Sequence, residues 1–218
     1  KDLDDAIYIE TDNSKNNPGG ILLFVGIADV SFFVKPNSII DREALKRGNS
    51  TYFPDKVIPM LPEDLSNNLC SLKENSPKKA VVVKMRLDHR GYKIKHEFIR
   101  GIITVEKNYS YKNFERFLSD CKTKKKYSVY KKALNILKQS PHLKNRLNLN
   151  LAEKKISLSS EGFPTNVFEK NSLRSNELIE MTMILSNLCV SQTLSQSITK
   201  YLSRYHEIPD KHALKAVS

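Results

Sequence analysis

The sequence opens with KDLDDAIYIE (residues 1–10), continues with TDNSKNNPGG (11–20) and runs on as ILLFVGIA (21–28). β-Branched and aromatic residues predict strands over 6–10 and 20–28, and the Asn, Pro and Gly residues between them predict a turn. The second apolar run does not alternate with polar residues, which is typical of a strand that is buried on both faces. We therefore expect this strand to lie at the centre of a sheet.

The rest of the chain predicts an α+β fold in which a mixed β-sheet packs with helices. Residues 51–72 hold three prolines and little periodicity, which predicts an ordered surface loop. Asp29, at the end of the second strand, is interpreted as a turn or cap residue rather than a ligand. The other expected elements are a helix over 41–48, a hairpin of 80–87 and 92–105, helices from Tyr111 and over 127–137, strands at 147–151, 156–158 and 167–168, a helix over 175–204 and another from Asp210.

The composition is that of a globular protein with an excess of positive charge. The 218 residues are 39% hydrophobic and 28% charged, and no apolar run is long enough to cross a bilayer. Lys and Arg number 36 against 24 Asp and Glu, giving a formal net charge of +12. An excess of this size favours a polyanionic partner, either nucleic acid or an acidic surface.

The cysteine pattern argues against a disulfide framework or a zinc site. Cys70, Cys121 and Cys189 are odd in number and widely spaced, and none belongs to a CxxC pair. Together with the lack of a secretory signal at the start of the sequence, this pattern predicts a reducing, cytoplasmic location.

Three carboxylates, Asp2, Asp4 and Asp5, fall within four positions of this basic chain. Like charges that close together stay ionised only when positive charge lies among them, and a hard divalent cation with oxygen ligands supplies it. In an extended segment Asp2 and Asp4 point to one side, and Asp5 joins them only through a local bend. The alternative is an ordinary chain terminus whose acids are solvated.

Five phrases, taken in order, resemble one protein family. They are KDLDDAIYIE (1–10), GILLFVGIADVSFFV (20–34), RGNSTYFPDKVIPMLPEDLSNNLCSL (47–72), NELIEMTMILSN (176–187) and RYHEIP (204–209). The chain resembles the catalytic RNB domain of the ribonuclease II / ribonuclease R exoribonucleases up to about Pro209. The resemblance implies a hydrolytic 3′→5′ exoribonuclease that needs Mg²⁺, acts on single-stranded RNA and releases nucleoside 5′-monophosphates.

The same resemblance implies roles for the acidic residues. Asp2 and Asp5 help to hold one Mg²⁺, and Asp4 holds a second ion and is the residue most sensitive to replacement. Two such ions serve to activate the attacking hydroxide and to stabilise the leaving oxygen.

The resemblance also implies RNA contacts for three further residues. Tyr52 stacks on a terminal nucleotide, Tyr111 touches a ribose, and Glu180 lies near the terminal nucleotides. From the residues alone, Tyr52 is an ordinary loop tyrosine and Glu180 an exposed helix acid. Lys122–Lys126 is either a solvated linker or a phosphate-contacting patch, and His206 is assigned no chemistry.

The sequence departs from the family pattern in several places. Met181 stands where a second acid is usual, neither Asn148 nor Leu149 supplies the second aromatic clamp, and the segment before Tyr111 lacks the usual small and basic residues. An upstream Asp, a downstream Arg-rich segment and flanking RNA-binding β-barrels fall outside residues 1–218, so we expect a partial RNB domain with weak activity by itself. Two other hypotheses are a catalytically inactive RNA-binding relative and a basic α+β interaction module.

Overall fold

The predicted hairpin forms half of a four-stranded antiparallel sheet. The computed structural model describes residues 3–119, 125–144, 153–170, 172–197, 200–204 and 207. Along the chain the strands are β1 (Asp5–Thr11), β2 (Ile21–Ala28), β3 (Thr51–Tyr52), β4 (Val57–Ile58), β5 (Pro77–Leu87), β6 (Lys93–Thr104), β7 (Glu153–Leu158) and β8 (Pro164–Lys170). The helices are α1 (Val30–Phe33), α2 (Ile39–Arg47), a π-helix (Asp64–Leu69), α3 (Tyr111–Ser119), α4 (Lys125–Gln139), α5 (Pro141–Lys144) and α6 (Arg174–Ser195).

The central sheet has the strand order β1-β2-β5-β6. Its register sets Ile7 opposite Val25 and Val25 opposite Val83, so one apolar row crosses three strands. β2 lies between two neighbours and its residues are buried or half-buried, as its unbroken apolar sequence predicted. The predicted strands of this sheet and the α+β class are therefore confirmed.

Helices α4 and α6 cover one face of the sheet and bury the main core. Apolar residues at helical spacing on both helices meet apolar residues that alternate along the strands. The buried side chains of this contact include Ile9, Leu23 and Met85 from the strands with Leu134, Leu137, Leu178, Met181 and Leu185 from the helices. Each fully buried Leu or Met contributes about 1.5–3 kcal/mol relative to an exposed side chain.

A smaller core lies at the end of the sheet where β1 begins. It is formed by Ala28, Leu65, Cys70 and Leu72, with Ala6 and Phe33 packed against them. The π-helix supplies Leu65, and the turn after it supplies Cys70 and Leu72. This cluster fixes the segment that follows the π-helix against the start of β1.

Two predicted elements differ from the structure. Residues 51–72 are not wholly a loop, because they contain the β3–β4 ribbon and the π-helix. The helix predicted over 175–204 ends at Ser195, and Leu202, assigned to its apolar face, is fully exposed. The Ser and Thr residues near 191–197 explain the early end, since their hydroxyls compete for backbone carbonyls; the Ser195 hydroxyl donates to Gln192 O at 2.9 Å.

Other boundaries shift by a few residues. α2 begins at Ile39 rather than Asp41 because the Ser38 hydroxyl caps it by accepting from Asp41 N. The strand predicted at 147–151 and the helix predicted from Asp210 lie outside the described residues. Among the residues that the structure does describe, no helix is long and apolar enough to cross a membrane.

Candidate active site

The start of β1 and the end of β2 meet at one edge of the fold, which we call the acidic end. The Asp4 carbonyl accepts a hydrogen bond from Ala28 N at 2.9 Å, and the Leu3 carbonyl accepts one from Leu72 N at 2.7 Å. Asp5 pairs with Ile27 in the ladder. These backbone bonds hold the acidic residues between the central strand and the chain that leaves the π-helix.

Asp29 follows β2 directly and is buried at the acidic end. Arg100 on β6 reaches across the sheet, with Nε 2.5 Å from Asp29 Oδ2 and Nη2 3.1 Å from Oδ1. The hydrogen bond from Arg100, with others from the Ser31 hydroxyl and Phe32 N, holds the pKa of the Asp29 carboxyl below its ordinary value. Asp29 caps α1, as predicted, and its charge is already matched by Arg100.

The Asp4 carboxylate is exposed and lies in a negative region. The pKa of the nearby buried Cys70 thiol is raised, chiefly by burial and further by the charges of Asp4 and Asp29. Arg100 is bound to Asp29, so Asp4 and its neighbour Asp5 are the acidic residues of this end that the Asp29–Arg100 pair does not involve.

Asp5 differs from Asp29 because burial, and not an ion pair, is the main cause of its pKa shift. Burial of the Asp5 carboxyl group excludes water and raises its pKa. A backbone hydrogen bond to the carboxylate lowers the pKa and partly offsets this effect. A cation beside this carboxylate would favour the charged form and oppose the effect of desolvation.

The donor chemistry of this end fits a hard divalent ion. Asp4 and Asp5 are consecutive residues where β1 begins, and carboxylate oxygens are the ligands that Mg²⁺ takes from proteins. Asp2 lies outside the described residues, and within the described ranges no group of three His, Cys, Asp or Glu residues is close enough to hold a metal. The described part of the chain therefore supplies two of the three predicted ligands.

Tyr52 lies on the β3–β4 ribbon with 67% of its surface exposed. The ribbon is tied to its surroundings by the Arg47 guanidinium, whose Nη1 donates to Pro59 O at 3.0 Å, and by Met60 N, which donates to the Ser50 hydroxyl. Phe53 beside it is also half exposed. The ribbon thus presents two neighbouring aromatic rings to solvent.

Tyr111 and Glu180 belong to a pair of helices, α3 and α6. The Ser175 hydroxyl donates to the Tyr111 carbonyl at 2.9 Å, and Glu115 accepts from Ser175 N at 3.0 Å. Arg174 Nε adds an ion pair to Glu115 at 2.6 Å. The start of α6 is thereby fixed on α3, and the two residues are carried by one helix pair.

Glu180 and Met181 occupy opposite environments on α6. Glu180 is exposed, whereas Met181 is 1% exposed and belongs to the main core. The residue that replaces the expected second acid is therefore part of the packing between α6 and the sheet.

Asp4 and Asp5 are consecutive at the start of β1, and Tyr52 lies on a separate ribbon. Arg100 was not predicted as a partner of Asp29, because an Arg within a strand gives no sign of the residue that it will contact. The register of β5 and β6 decides that contact, and register depends on long-range pairing. His206 and positions 148 and 149 lie outside the described residues.

Comparison with known proteins gives a consistent result. A family model described as the RNB domain matches residues 1–218. Ribonuclease R of Thermotoga maritima is 33% identical over 222 residues, which cover 98% of this chain and 31% of that protein. Ribonuclease R of Mycoplasmopsis pulmonis is 35% identical over 220 residues, covering 98% of this chain and 30% of that protein. The chain thus spans about a third of the length of the curated relatives it matches.

A solved structure shows the same fold. Mycoplasma genitalium RNase R in complex with ribose methylated single-stranded RNA superposes with a TM-score of 0.80 and 30% sequence identity. The match covers 89% of this chain and 31% of that one.

Proposed function

This chain belongs to the RNB family, and we propose that it contributes the metal-binding part of a Mg²⁺-dependent hydrolase that degrades single-stranded RNA from the 3′ end to nucleoside 5′-monophosphates. The family match across residues 1–218, in a chain whose paired carboxylates lie at one end of its central sheet, is the observation that carries the proposal. The Mycoplasma genitalium relative was solved with single-stranded RNA bound, which supports RNA as the substrate.

In this proposal Asp4 is the catalytic residue and, with Asp2 and Asp5, holds two Mg²⁺ ions. When bound, the ions supply positive charge that activates water and stabilises the leaving oxygen. The chain itself holds the carboxylates in place through the backbone bonds of Leu3 and Asp4. The Asp29–Arg100 pair keeps a fourth carboxylate from adding its charge to the site.

The remaining residues of the proposal bind RNA. Tyr52 stacks on a base near the 3′ end, an interaction worth roughly 1–3 kcal/mol for any base. Tyr111 contacts a ribose, and Glu180 lies near the last nucleotides. Cys70 and Cys189 are buried free thiols, which supports a reducing, cytoplasmic setting.

The test is degradation of single-stranded RNA by the full-length protein, with and without Mg²⁺. RNA labelled at its 5′ end shows the shortening, and uniformly labelled RNA shows the released nucleotides. We expect successive shortening from the 3′ end, mononucleotide 5′-phosphates as products, and no reaction after chelation. Cleavage that persists in chelator would reject the metal assignment, and internal cleavage would reject the exonuclease.

A catalytically inactive RNA-binding relative is the second candidate function. The burial of Met181 in the core, where the family pattern has an acid, favours it. RNA binding without any cleavage at saturating Mg²⁺ would establish this candidate instead.

A further inference from the structure

A pocket of about 390 Å³ lies at the end of the sheet opposite the acidic end, and we call it the basic pocket. It opens between helix α4, the turn that precedes β2 and the turn that follows β5. Its polar lining consists of His89, Ser128, Lys131, Lys132, Asn135 and Gln139. None of the described residues that line it is Asp or Glu.

Helix α4 contributes two lysines, Lys131 and Lys132, to the lining of this pocket. Its sequence, KKYSVYKKALNILKQ, contains five lysines and no acid. The lining residues of α4 recur at spacings of three and four, so they share one face of the helix. The opposite face carries Leu134 and Leu137 into the core, and Lys138, which does not line the pocket, pairs with Glu177 at 2.8 Å.

The pocket is held in shape by contacts between the β-turns and the helix. The Ser140 hydroxyl donates to the Gly91 carbonyl at 2.7 Å. Gly91 approaches the end of α4 so closely that an added Cβ would lie 2.5 Å from Ile136 O. A Cβ on Gly19 would lie 3.5 Å from His89 Cβ, so the two turns touch as well. A site fixed before binding loses little free energy in ordering itself around a ligand.

The basic pocket is well separated from the acidic end. Ile21 pairs with Leu87 at the pocket end of the sheet, whereas Asp5 pairs with Ile27 at the acidic end. At ~3.3 Å per residue, the seven residues of β1 span roughly 20 Å. A small ligand cannot touch both ends, but a polymer of phosphates can.

We propose that the basic pocket binds a backbone phosphate of the RNA strand, on the 5′ side of the nucleotides held at the acidic end. Lys131 and Lys132 supply the charge, and the neutral polar groups around them donate hydrogen bonds to phosphate and ribose oxygens. Contacts of this kind position a strand without reading its sequence. A volume near 390 Å³ suits a sugar–phosphate unit, because small-molecule sites are about 300–1,000 Å³. The inference rests on the proposed RNA-degrading function.

A second pocket, of about 270 Å³, shows why the basic pocket is the better candidate. Its lining includes Lys84 and Arg86, but each already pairs with an acid of the same pocket. Lys84 lies 3.0 Å from Glu97, and Arg86 lies 2.6 Å from Asp12. The lining of this second pocket therefore includes two acids, whereas none of the described residues that line the basic pocket is acidic.

The test measures affinity for a length series of single-stranded oligoribonucleotides over a range of salt. The double variant Lys131→Gln/Lys132→Gln is compared with Lys154→Gln/Lys155→Gln, which removes the same charge from an exposed pair on β7. Both are made in an Asp4→Asn background so that the RNA stays intact. Lys131→Arg/Lys132→Arg keeps the charge and serves as the rescue.

We expect the Lys131→Gln/Lys132→Gln variant to bind long RNA roughly three- to tenfold more weakly than the Asp4→Asn background protein. Short oligonucleotides that occupy only the acidic end should bind equally well to both. The slope of log K against log salt for long RNA falls by about 0.7 for each phosphate no longer contacted. The arginine variant recovers most of the affinity.

Any of three results would overturn the proposed phosphate site but not the proposed function. They are unchanged affinity for long RNA, an equal loss of affinity in the β7 control, and an equal loss of affinity for the shortest oligonucleotides. If no variant binds RNA, the proposed function fails and the inference with it. If the protein binds an acidic peptide through this pocket but does not bind RNA there, the pocket serves a protein partner and the proposal of a phosphate site is wrong.

Discussion

The two ends of the central sheet are built from similar parts and carry opposite charge. At the acidic end, Asp4 and Asp5 stand beside Asp29, whose charge Arg100 matches. At the other end, a turn presents Asp12 to Arg86 in a second ion pair while α4 adds lysines outside it. Each end therefore contains one buried Asp that forms an ion pair with an Arg, and each end has further charged side chains near solvent.

The difference between the ends suggests a division of labour. Neighbouring carboxylates repel phosphate unless cations intervene, so they suit metal-dependent chemistry but not binding by themselves. Lysines around a polar pocket attract phosphate without any reaction. The sheet is the rigid spacer between the two regions.

The largest effect on this arrangement is expected from Gly91→Ala. Gly91 has φ +81° and lies against Ile136 O, so the new methyl group strains the backbone and pushes on α4. We expect a loss of about 3 kcal/mol in the free energy of unfolding. Urea titration measures it.

The matched control is Gly162→Ala, where φ is +86° but no atom lies within 4 Å of the new Cβ. It should cost only about 1 kcal/mol. Equal losses in the two variants would show that Gly91 does not fix the turn on α4.

The two ion pairs give the next contrast. Arg100→Met removes hydrogen bonds to Asp29 and Ser31 and leaves a buried carboxylate without its cation, so we expect it to lower the free energy of unfolding. Arg86→Met should cost less, about 1–2 kcal/mol. Arg86 Nη2 is buried without a hydrogen-bond partner in the described part of the chain, so methionine removes an unfavourable group together with the favourable one.

Thermal or urea unfolding of both variants checks this order. A larger loss from Arg86→Met would mean that the pair at the basic end is the more important one for folding.

The smallest effect concerns Tyr52 on the β3–β4 ribbon. Tyr52→Ala should leave the rate on long RNA nearly unchanged but alter the length of the last product, because losing one stack costs roughly 1–3 kcal/mol and matters most when few contacts remain. Tyr52→Phe keeps the ring and is the control. Identical end products for Tyr52→Ala and the unchanged protein, separated on a gel, would exclude the stacking role.

Local patterns in the sequence were enough to predict much of the fold. β2 was placed at the sheet centre from its unbroken apolar run, and the cap role of Asp29 followed from its position at a strand end. The end of α6 was missed because its apolar spacing continues through a segment rich in Ser, where hydroxyl groups compete with the helix. The spacing of apolar residues alone gives no sign of this competition.

The candidate site was predicted less completely. Asp4 and Asp5 were found as neighbours in sequence, but Arg100 is 71 positions from Asp29 and their contact depends on strand register. The basic pocket was missed for a similar reason: its lysines come from one helix, and the turns that complete it come from two distant hairpins.

The central claim is that the acidic end performs chemistry and contributes little to affinity for RNA. The most direct test measures both the cleavage rate and the dissociation constant for single-stranded RNA in the full-length protein that carries Asp4→Asn. The control is Glu161→Gln, at an exposed acid of the β7–β8 turn. We predict that Asp4→Asn lowers cleavage about a thousandfold, roughly 4 kcal/mol in activation free energy, while its dissociation constant stays within a few-fold of the unchanged protein. Normal cleavage by Asp4→Asn, or a loss of affinity as large as the loss of cleavage, would contradict the account.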